Sequence, residues 1–289
     1  MSLPLATVFG HGFFDSASVH RALAVGAVAA IVSGTVGVFA VIRGQAFAGE
    51  ALADIGAAGG SGAFLAGVGA LWGFLVSAVG AAAVMELIGI QRPRGRDLAT
   101  GIVLGASLGI AALLLYLSTT VRSTTGATVT ILFGSLFAVD AGTIPAIVAF
   151  SVLALGLIVL VQRPLLLSSL SPELAAARGI PVRLVGATYL LALAVAVALS
   201  ALTIGAILGT ALLIGPAATA LRLTSRPGRA ILISAAVGIA ATWLGIVLAF
   251  DSFYWPPTGH GWPLSFFVVA LVLLAYLLAG LLAPRRKGR

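Results

Sequence analysis

Two carboxylates lie four residues apart in the stretch GEALADIGAAGG, where Glu50 and Asp54 are surrounded by small and apolar residues. On an α-helix this spacing places both side chains on one face. Neither acid has a basic residue within one turn on its C-terminal side, and Arg43 is the nearest in sequence. Adjacent carboxylates repel each other unless a cation lies between them. The pair is therefore a candidate contact site for a divalent cation.

A second candidate for metal contact combines Asp251 and His260 in the segment DSFYWPPTGHGW. An acid and an imidazole could contact an ion at the mouth of a pathway. The same segment holds four aromatic residues and two prolines. This composition favours the alternative, a belt of aromatic side chains at a membrane interface.

Enzymatic chemistry finds little support in the sequence. The chain has one lysine, Lys287, and no match to GxxxxGK[ST], so any ATP hydrolysis must take place on a separate subunit. No HExxH motif is present. The absence of cysteine excludes disulfides and thiolate metal sites. We therefore expect no catalytic residues and no bound cofactor.

The elements that carry these residues follow from composition. Hydrophobic residues make up 61% of the chain, charged residues 8%, and the mean hydropathy is +1.19, whereas a soluble globular protein has about 25% charged residues. Uninterrupted apolar runs of about 20 residues predict an all-α, polytopic transmembrane helical bundle. We place spans near residues 22–42, 49–67, 70–89, 98–118, 144–161, 184–202, 204–221, 230–250 and 264–283. There are eight spans instead of nine if the second or the seventh does not cross.

Basic residues in the connections assign the orientation. Fourteen fall on one side of the predicted bundle and only Arg21 and Arg122 on the other. The positive-inside rule makes the first side cytoplasmic and puts the N-terminus outside, or inside if there are eight spans. The net charge of +8 is mostly this signature, so we predict no nucleic-acid partner.

The predicted position of Glu50 and Asp54 within a membrane span makes a functional role for both acids more specific. A charge at the centre of a bilayer costs ~2.5–3.5 kcal/mol on insertion scales, and such residues usually face a cavity, a partner or an ion pathway. We predict that both acids line an ion pathway. The alternative is that they lie at the cytoplasmic interface and are only solvated.

Several glycines recur four residues apart: Gly56 and Gly60, Gly101, Gly105 and Gly109, and Gly205 and Gly209. This spacing lets helix backbones approach closely. We expect these glycines to pack helices within the chain, with a dimer motif as the alternative.

The insert RPLLLSSLSPELAAARGIPV, residues 163–182, interrupts the apolar spans on the cytoplasmic side. Its residues mark both ends of a short helix: Ser171 as N-cap, Pro172 as first residue, Glu173 as first-turn acid, Gly179 after the C-cap and Pro181 as stop. A capped surface helix in a membrane protein predicts a docking element for a partner.

In order along the chain, several motifs resemble the membrane permeases of zinc and manganese ABC importers. GVFAVIRGQAFAGEAL (37–52) is similar to the family's G-x-F-x-V-x-R-x-x-x-x-x-G-D-A-L, and DLATGIVLGASLGIAALLL (97–115) resembles its D-x-A-x-G-I-V segment. TILFG (130–134), followed by Asp140, is similar to its L-F-G stretch. SPELAAARGIPVRL (171–184) resembles D-P-E-x-A-x-x-x-G-x-P-x-R, and ALLIGPAATA (211–220) resembles L-x-x-x-P-A-A-T-A.

The resemblance implies a type II ABC importer in the bacterial cytoplasmic membrane. In this arrangement residues 1–289 form one transmembrane permease domain that pairs with a second copy of itself. Two cytoplasmic ATPases hydrolyse ATP, and an extracytoplasmic binding protein delivers a zinc or manganese ion. Residues near 171–182 would be the coupling helix, with contacts to the ATPase from Ser171, Pro172, Glu173, Ala176, Gly179, Pro181 and Arg183.

One departure from the family concerns the metal. The family's G-D-A-L-S-H-A-V-L-P-G has an Asp and a His implicated in metal passage, and this chain has Glu50 and Asp54 in their places. An all-oxygen ligand pair suits Mn²⁺ better than Zn²⁺. Two alternative functions stay open. One is an ion-coupled secondary transporter of a cation, although the inverted repeat typical of many such transporters is not evident. The other is a membrane scaffold that transports nothing, in which replacing Glu50 or Asp54 with alanine would have no effect.

Overall fold

The computed structural model describes residues 13–14, 16–88, 96–122, 126–134, 136–255 and 261–282. Eleven α-helices are present in these ranges, and no strand is. They are α1 (Ala17–Ile42), α2 (Ala46–Ala66), α3 (Ala70–Ile88), α4 (Arg96–Arg122), α5 (Gly126–Phe133), α6 (Ile144–Leu170), α7 (Pro172–Ala177), α8 (Val182–Ile204), α9 (Gly209–Leu223), α10 (Pro227–Ser252) and α11 (Leu264–Leu282). Short 3-10 turns at Leu136–Ala138 and Ala141–Thr143 connect α5 to α6. The predicted all-α bundle is confirmed.

Among the described residues, six segments are long and apolar enough to cross a membrane: α1, α3, α6 with the turn before it, α8, α10 and α11. Shorter apolar segments lie in α4 (104–120) and make up α9 (209–223). Together with α2, which carries both acids, these helices correspond one by one to the nine predicted spans. The structure is therefore consistent with a polytopic bundle of eight or nine spans.

The centre of the bundle is formed by α1 and α8, the two apolar helices with the largest buried share. On one flank, α2 packs against α3 and α4, and on the other α9, α10 and α11 pack against one another. Glycines allow the closest approaches. A Cβ atom added at Gly59 of α2 would lie 2.5 Å from the carbonyl oxygen of Gly73 on α3, so neither position has room for a side chain.

The seventh predicted span and two predicted glycine pairs need correction. A helix was expected over 204–221, but α8 ends at Ile204 and α9 begins only at Gly209. Gly205 has φ +92°, a conformation that glycine adopts without strain. Gly205 and Gly209 are therefore not a pair on one helix face.

On α4, Gly105 and Gly109 have open space where a side chain would lie, so their expected packing within the chain is wrong.

The insert between the fifth and sixth spans also differs from the prediction. Instead of ending near residue 161, α6 continues through Arg163 and Pro164 to Leu170. The separate helix is therefore only α7. Proline inside a helix removes one backbone hydrogen bond and weakens the helix locally, so the last turns of α6 are less firmly joined to the rest of it.

Candidate functional site

Glu50 and Asp54 lie in the first half of α2. Asp54 is buried, with 6% of its surface exposed, and Glu50 is half-buried. The two carboxylates are close enough to repel each other electrostatically. Within the described part of the chain, the Asp54 carboxylate makes no hydrogen bond or ion pair. A buried acid without such a partner needs a cation or water as its companion.

Asp54 borders a cavity of about 480 Å³ that is lined mainly by apolar side chains. One wall is formed by the face of α4 that carries Leu108, Ala111, Ala112, Leu115, Tyr116 and Thr119. The other walls come from Ala57 of α2, Leu132 of α5, and Ala206 and Ile207 in the connection between α8 and α9. Asp54 is the one acid among these lining residues, so it dominates the electrostatics of the cavity.

The connection from Gly205 to Leu208 is not helical. Its backbone is held by α5, because the amides of Ala206 and Ile207 donate to the carbonyls of Ile131 and Leu132, at 3.0 and 3.4 Å. Non-helical backbone at membrane depth is tolerated where protein surrounds it or where it lines a cavity. Transporters commonly build their substrate sites from such broken helices.

Sequence reasoning placed a boundary between two spans at residue 203 but missed the non-helical stretch 205–208. The signal that could have revealed it is a pair of glycines, Gly134 after α5 and Gly205 after α8, which both have positive φ. A Cβ atom added at Gly134 would lie 2.5 Å from the carbonyl oxygen of Thr203. Their contact fixes the broken backbone next to the cavity.

The ligand set of one chain is small. Among the described residues, no group of three or more His, Cys, Asp or Glu side chains could hold a metal ion. Glu50 and Asp54 thus offer two carboxylates, which are hard oxygen ligands suited to cations such as Mn²⁺. Further ligands must come from water, backbone carbonyls or another chain. This arrangement suits a passing ion better than a permanently bound one.

The outward face of α4 borders the same cavity. Tyr116, which lines the cavity, is 64% exposed, and Leu113 is also exposed. Gly105 and Gly109 lie on this helix with no neighbouring atom within 4 Å of their absent side chains. One side of the cavity is thus bounded by a helix with a large exposed apolar surface.

Asp251 lies at the other end of the bundle, in an aromatic cluster. Its carboxylate oxygen Oδ2 accepts a hydrogen bond from the indole Nε1 of Trp255, at 2.9 Å, and Asp251 is buried. Trp255 contacts the rings of Trp262 and Phe267. These contacts agree with the aromatic-belt alternative. His260, the other predicted ligand, lies outside the described residues, so its pairing with Asp251 stays a prediction.

The predicted cytoplasmic helix is α7, and its ends match the sequence signals. Ser171 Oγ accepts a hydrogen bond from the amide of Leu174 at 3.2 Å, and Pro172 is the first helical residue. At the other end Gly179 has φ +75°, and the amide of Ile180 donates back to the carbonyl of Ala175 at 3.1 Å. Both caps are therefore confirmed.

The outer surface of α7 is exposed in the described part of the chain. Glu173, Leu174 and Ala176 are exposed, and Ala175 faces inward and is buried. Arg178 and Arg183 flank the helix and are also exposed. An exposed leucine beside charged side chains is a surface that suits a protein partner. The roles assigned to Pro181 and Arg183 stay predictions.

Comparison with known proteins supports a transport function. The model of the family described as "ABC 3 transport family" matches residues 15–279. The manganese transport system membrane protein of Halalkalibacterium halodurans is 29% identical over 177 residues, which cover 60% of each chain. The manganese import system permease protein of Streptococcus parasanguinis is 28% identical over 62% of this chain and 63% of that one. The chain thus spans about three fifths of the length of these curated relatives.

A solved structure extends the likeness to nearly the full length. The complex titled PsaBC from Streptococcus pneumoniae with Fab contains a chain that superposes with a TM-score of 0.82. The alignment covers 98% of both chains at 25% identity. The arrangement of helices is therefore shared across the whole described bundle.

Proposed function

The chain belongs to the ABC 3 transport family, and on that premise we propose that it is the permease of an ATP-driven importer of a divalent metal ion, with manganese as its cargo. Membership in this family confirms the resemblance on which the sequence analysis relied. The chain is a multi-pass protein of the bacterial cell membrane and a permease subunit, not itself an enzyme. The single observation that carries the proposal is Asp54, which is buried without a hydrogen-bonding partner among the described residues, beside a cavity and the non-helical connection 205–208.

The proposed cargo follows from the ligands and from the relatives. Glu50 and Asp54 provide carboxylate oxygens and no imidazole, which favours Mn²⁺ over Zn²⁺. The two curated relatives described above are named for manganese transport or import. An ion that keeps most of its waters and exchanges a few for these carboxylates would be held weakly enough to leave.

The proposed partners occupy different surfaces. A cytoplasmic ATPase would seat α7 in a groove through Ser171, Pro172, Glu173, Ala176, Gly179, Pro181 and Arg183. A second copy of the chain would cover the exposed face of α4, so that the cavity beside Asp54 lies along the axis of the dimer. An extracytoplasmic binding protein would deliver the ion at the aromatic end of the bundle.

In the proposed mechanism, ATP binding to the partner moves α7 and shifts the permease between outward-open and inward-open states. The free energy comes from the difference in nucleotide affinity between the two states. Asp54 and Glu50 place negative charge around the ion, which keeps most of its waters. Meanwhile the cavity changes the side of the membrane to which it opens. The ion-coupled secondary transporter is less favoured, since the family is one of ABC transporters.

The test uses the permease with its ATPase and binding protein in proteoliposomes, with uptake of Mn²⁺ and Zn²⁺ measured separately. We expect ATP-dependent uptake of Mn²⁺. Ala176→Pro should abolish it, because proline disrupts the interior of α7. Ala177→Ser, at an exposed position of α7 outside the proposed contact set, should transport normally. Uptake that persists without ATP and collapses with an uncoupler would instead establish the secondary transporter.

A further inference from the structure

Arg43 occupies the corner between α1 and α2 and reaches across to α6. Its Nη1 atom donates to Ser168 Oγ at 3.3 Å and to Ser169 Oγ at 3.2 Å, and its Nε donates to Gln45 Oε1 at 3.2 Å. The guanidinium also lies over the ring of Tyr189 on α8, 5.3 Å from its centroid. One side chain thus joins the end of α1, the start of α2, the end of α6 and α8.

The backbone at this corner is tightly fixed. Arg43 is the C-cap of α1, Gly44 has φ +62°, and the amide of Gln45 donates back to the carbonyl of Ala40 at 2.9 Å. Gln45 is itself the residue before α2. A force on the Arg43 side chain is therefore passed to the start of α2, whose fifth residue is Glu50.

The two serines that accept from Arg43 lie in the segment that leads directly to α7. Ser168 and Ser169 are in the last turn of α6, after Pro164 and before Ser171, the N-cap of α7. Pro164 cannot donate a backbone hydrogen bond, which weakens α6 at that point. The stretch from Leu165 to Ala177 can therefore move with α7 more readily than the first part of α6 can.

The environment of this contact is partly shielded from water. Ser168 and Tyr189 are both buried, and a hydrogen bond from a charged donor gains strength where water is excluded. Burial lowers the pKa of Arg43 below its ordinary value, and Tyr189 and the Glu86 carboxylate of α3 act in the opposite direction. A guanidinium retains its charge under such a shift, so the contact keeps its charge-assisted character.

We propose that Arg43 is a positioning residue that transmits the displacement of α7 to α2, through its hydrogen bonds to Ser168 and Ser169, and so links ATP hydrolysis to movement of the acid pair. The proposal rests on the proposed function, because it assumes that α7 binds an ATPase and that α2 lines the ion pathway. It adds a defined mechanical connection between these two sites.

The test measures ATP hydrolysed per Mn²⁺ imported by the full complex in proteoliposomes. For Arg43→Gln we expect hydrolysis within about twofold of wild type and import lower by about tenfold or more, since the charge-assisted hydrogen bonds are lost. Arg43→Lys keeps the charge but lacks the forked guanidinium, and should restore import in part. The double variant Ser168→Ala with Ser169→Ala removes the acceptors, together with the hydrogen bonds that both hydroxyls donate to the Leu165 carbonyl, and should also raise the ratio of ATP to Mn²⁺.

Arg222→Gln is the matched control. Arg222 lies at the same end of the bundle and packs on Tyr276, joining α9 to α11 instead of contacting α6. It should leave the ratio unchanged. The proposal would be overturned if the ratio of ATP hydrolysed to Mn²⁺ imported is unchanged in both Arg43→Gln and the double serine variant. This includes the case in which import and hydrolysis fall in proportion. If Arg43→Gln fails to assemble, the double serine variant decides. A wild-type complex that imports no Mn²⁺ would refute the proposed function instead.

Discussion

Replacing Asp54 with asparagine should make the permease more stable and less active. The change keeps the size of the side chain and removes its charge. Asp54 is 6% exposed and makes no hydrogen bond or ion pair within the described part of the chain. Its charge is also repelled by Glu50. A residue that stabilised the fold would show the opposite result, a loss of stability on substitution.

The expected magnitude follows from this environment. The full penalty for an acid at the bilayer centre is ~2.5–3.5 kcal/mol, and this is an upper bound because Asp54 borders a cavity that can hold water. We expect Asp54→Asn to stabilise the metal-free permease by about 1 kcal/mol, equivalent to roughly 2–4 °C in melting temperature for a chain near this size. Import of Mn²⁺ should fall at least about tenfold, since even groups that only orient metal ligands are worth 10–100-fold.

Two assays on the same preparations separate these effects. Thermal unfolding in the absence and presence of Mn²⁺ gives the stability and the stabilisation by the ion, which wild type should show and Asp54→Asn should lack. Uptake into proteoliposomes gives activity. Ser61→Ala is the control, because Ser61 is buried seven residues further along α2, and its hydroxyl donates only to the Ala57 carbonyl, at 2.7 Å. Normal import by Asp54→Asn, or a lower melting temperature, would refute the reasoning.

Two further predictions concern packing and the outer acid. Gly73→Ala should destabilise the purified permease by about 1–3 kcal/mol, because its methyl group would meet the backbone of α2. Gly80→Ala on the same helix meets open space and should be neutral or stabilising by up to about 1 kcal/mol. Thermal unfolding of the two variants distinguishes these outcomes. Asp251→Asn should import Mn²⁺ within about twofold of wild type, because the amide oxygen can still accept from Trp255. A loss of about tenfold in the uptake assay would instead make Asp251 a ligand of the ion.

The parts of the fold that depend on local sequence could be predicted. The caps of α7 follow from residue types, because Ser171 can accept an amide hydrogen bond and Gly179 can adopt positive φ wherever the helix lies. The shared face of Glu50 and Asp54 follows from helical periodicity alone. The approximate spans follow from hydropathy, because hydropathy depends on which residue types can lie in a membrane and not on how the helices pack against one another.

The parts that depend on tertiary contacts could not be predicted. Residues 205–208 lie in an apolar run that hydropathy treats as one span. The break is visible only in the folded backbone, where Gly205 has positive φ and the amides of Ala206 and Ile207 donate to Ile131 and Leu132. The extension of α6 through Pro164 runs against the local propensity of proline. The hydrogen bonds from Arg43 join residues 125 and 126 positions apart, and no local pattern reports a pairing over that separation.

The small ligand set of the chain argues for passage of an ion and not for its storage. A permanent metal site in a protein usually encloses the ion with four or more protein ligands and supports each one with hydrogen bonds. Here Asp54 has no hydrogen-bonding partner in the described part of the chain, and Glu50 is the one other acid beside it. In the proposed pathway, two carboxylates would lower the barrier for a hydrated divalent ion without holding it strongly. Conduction requires this balance, because an ion that binds too tightly cannot leave.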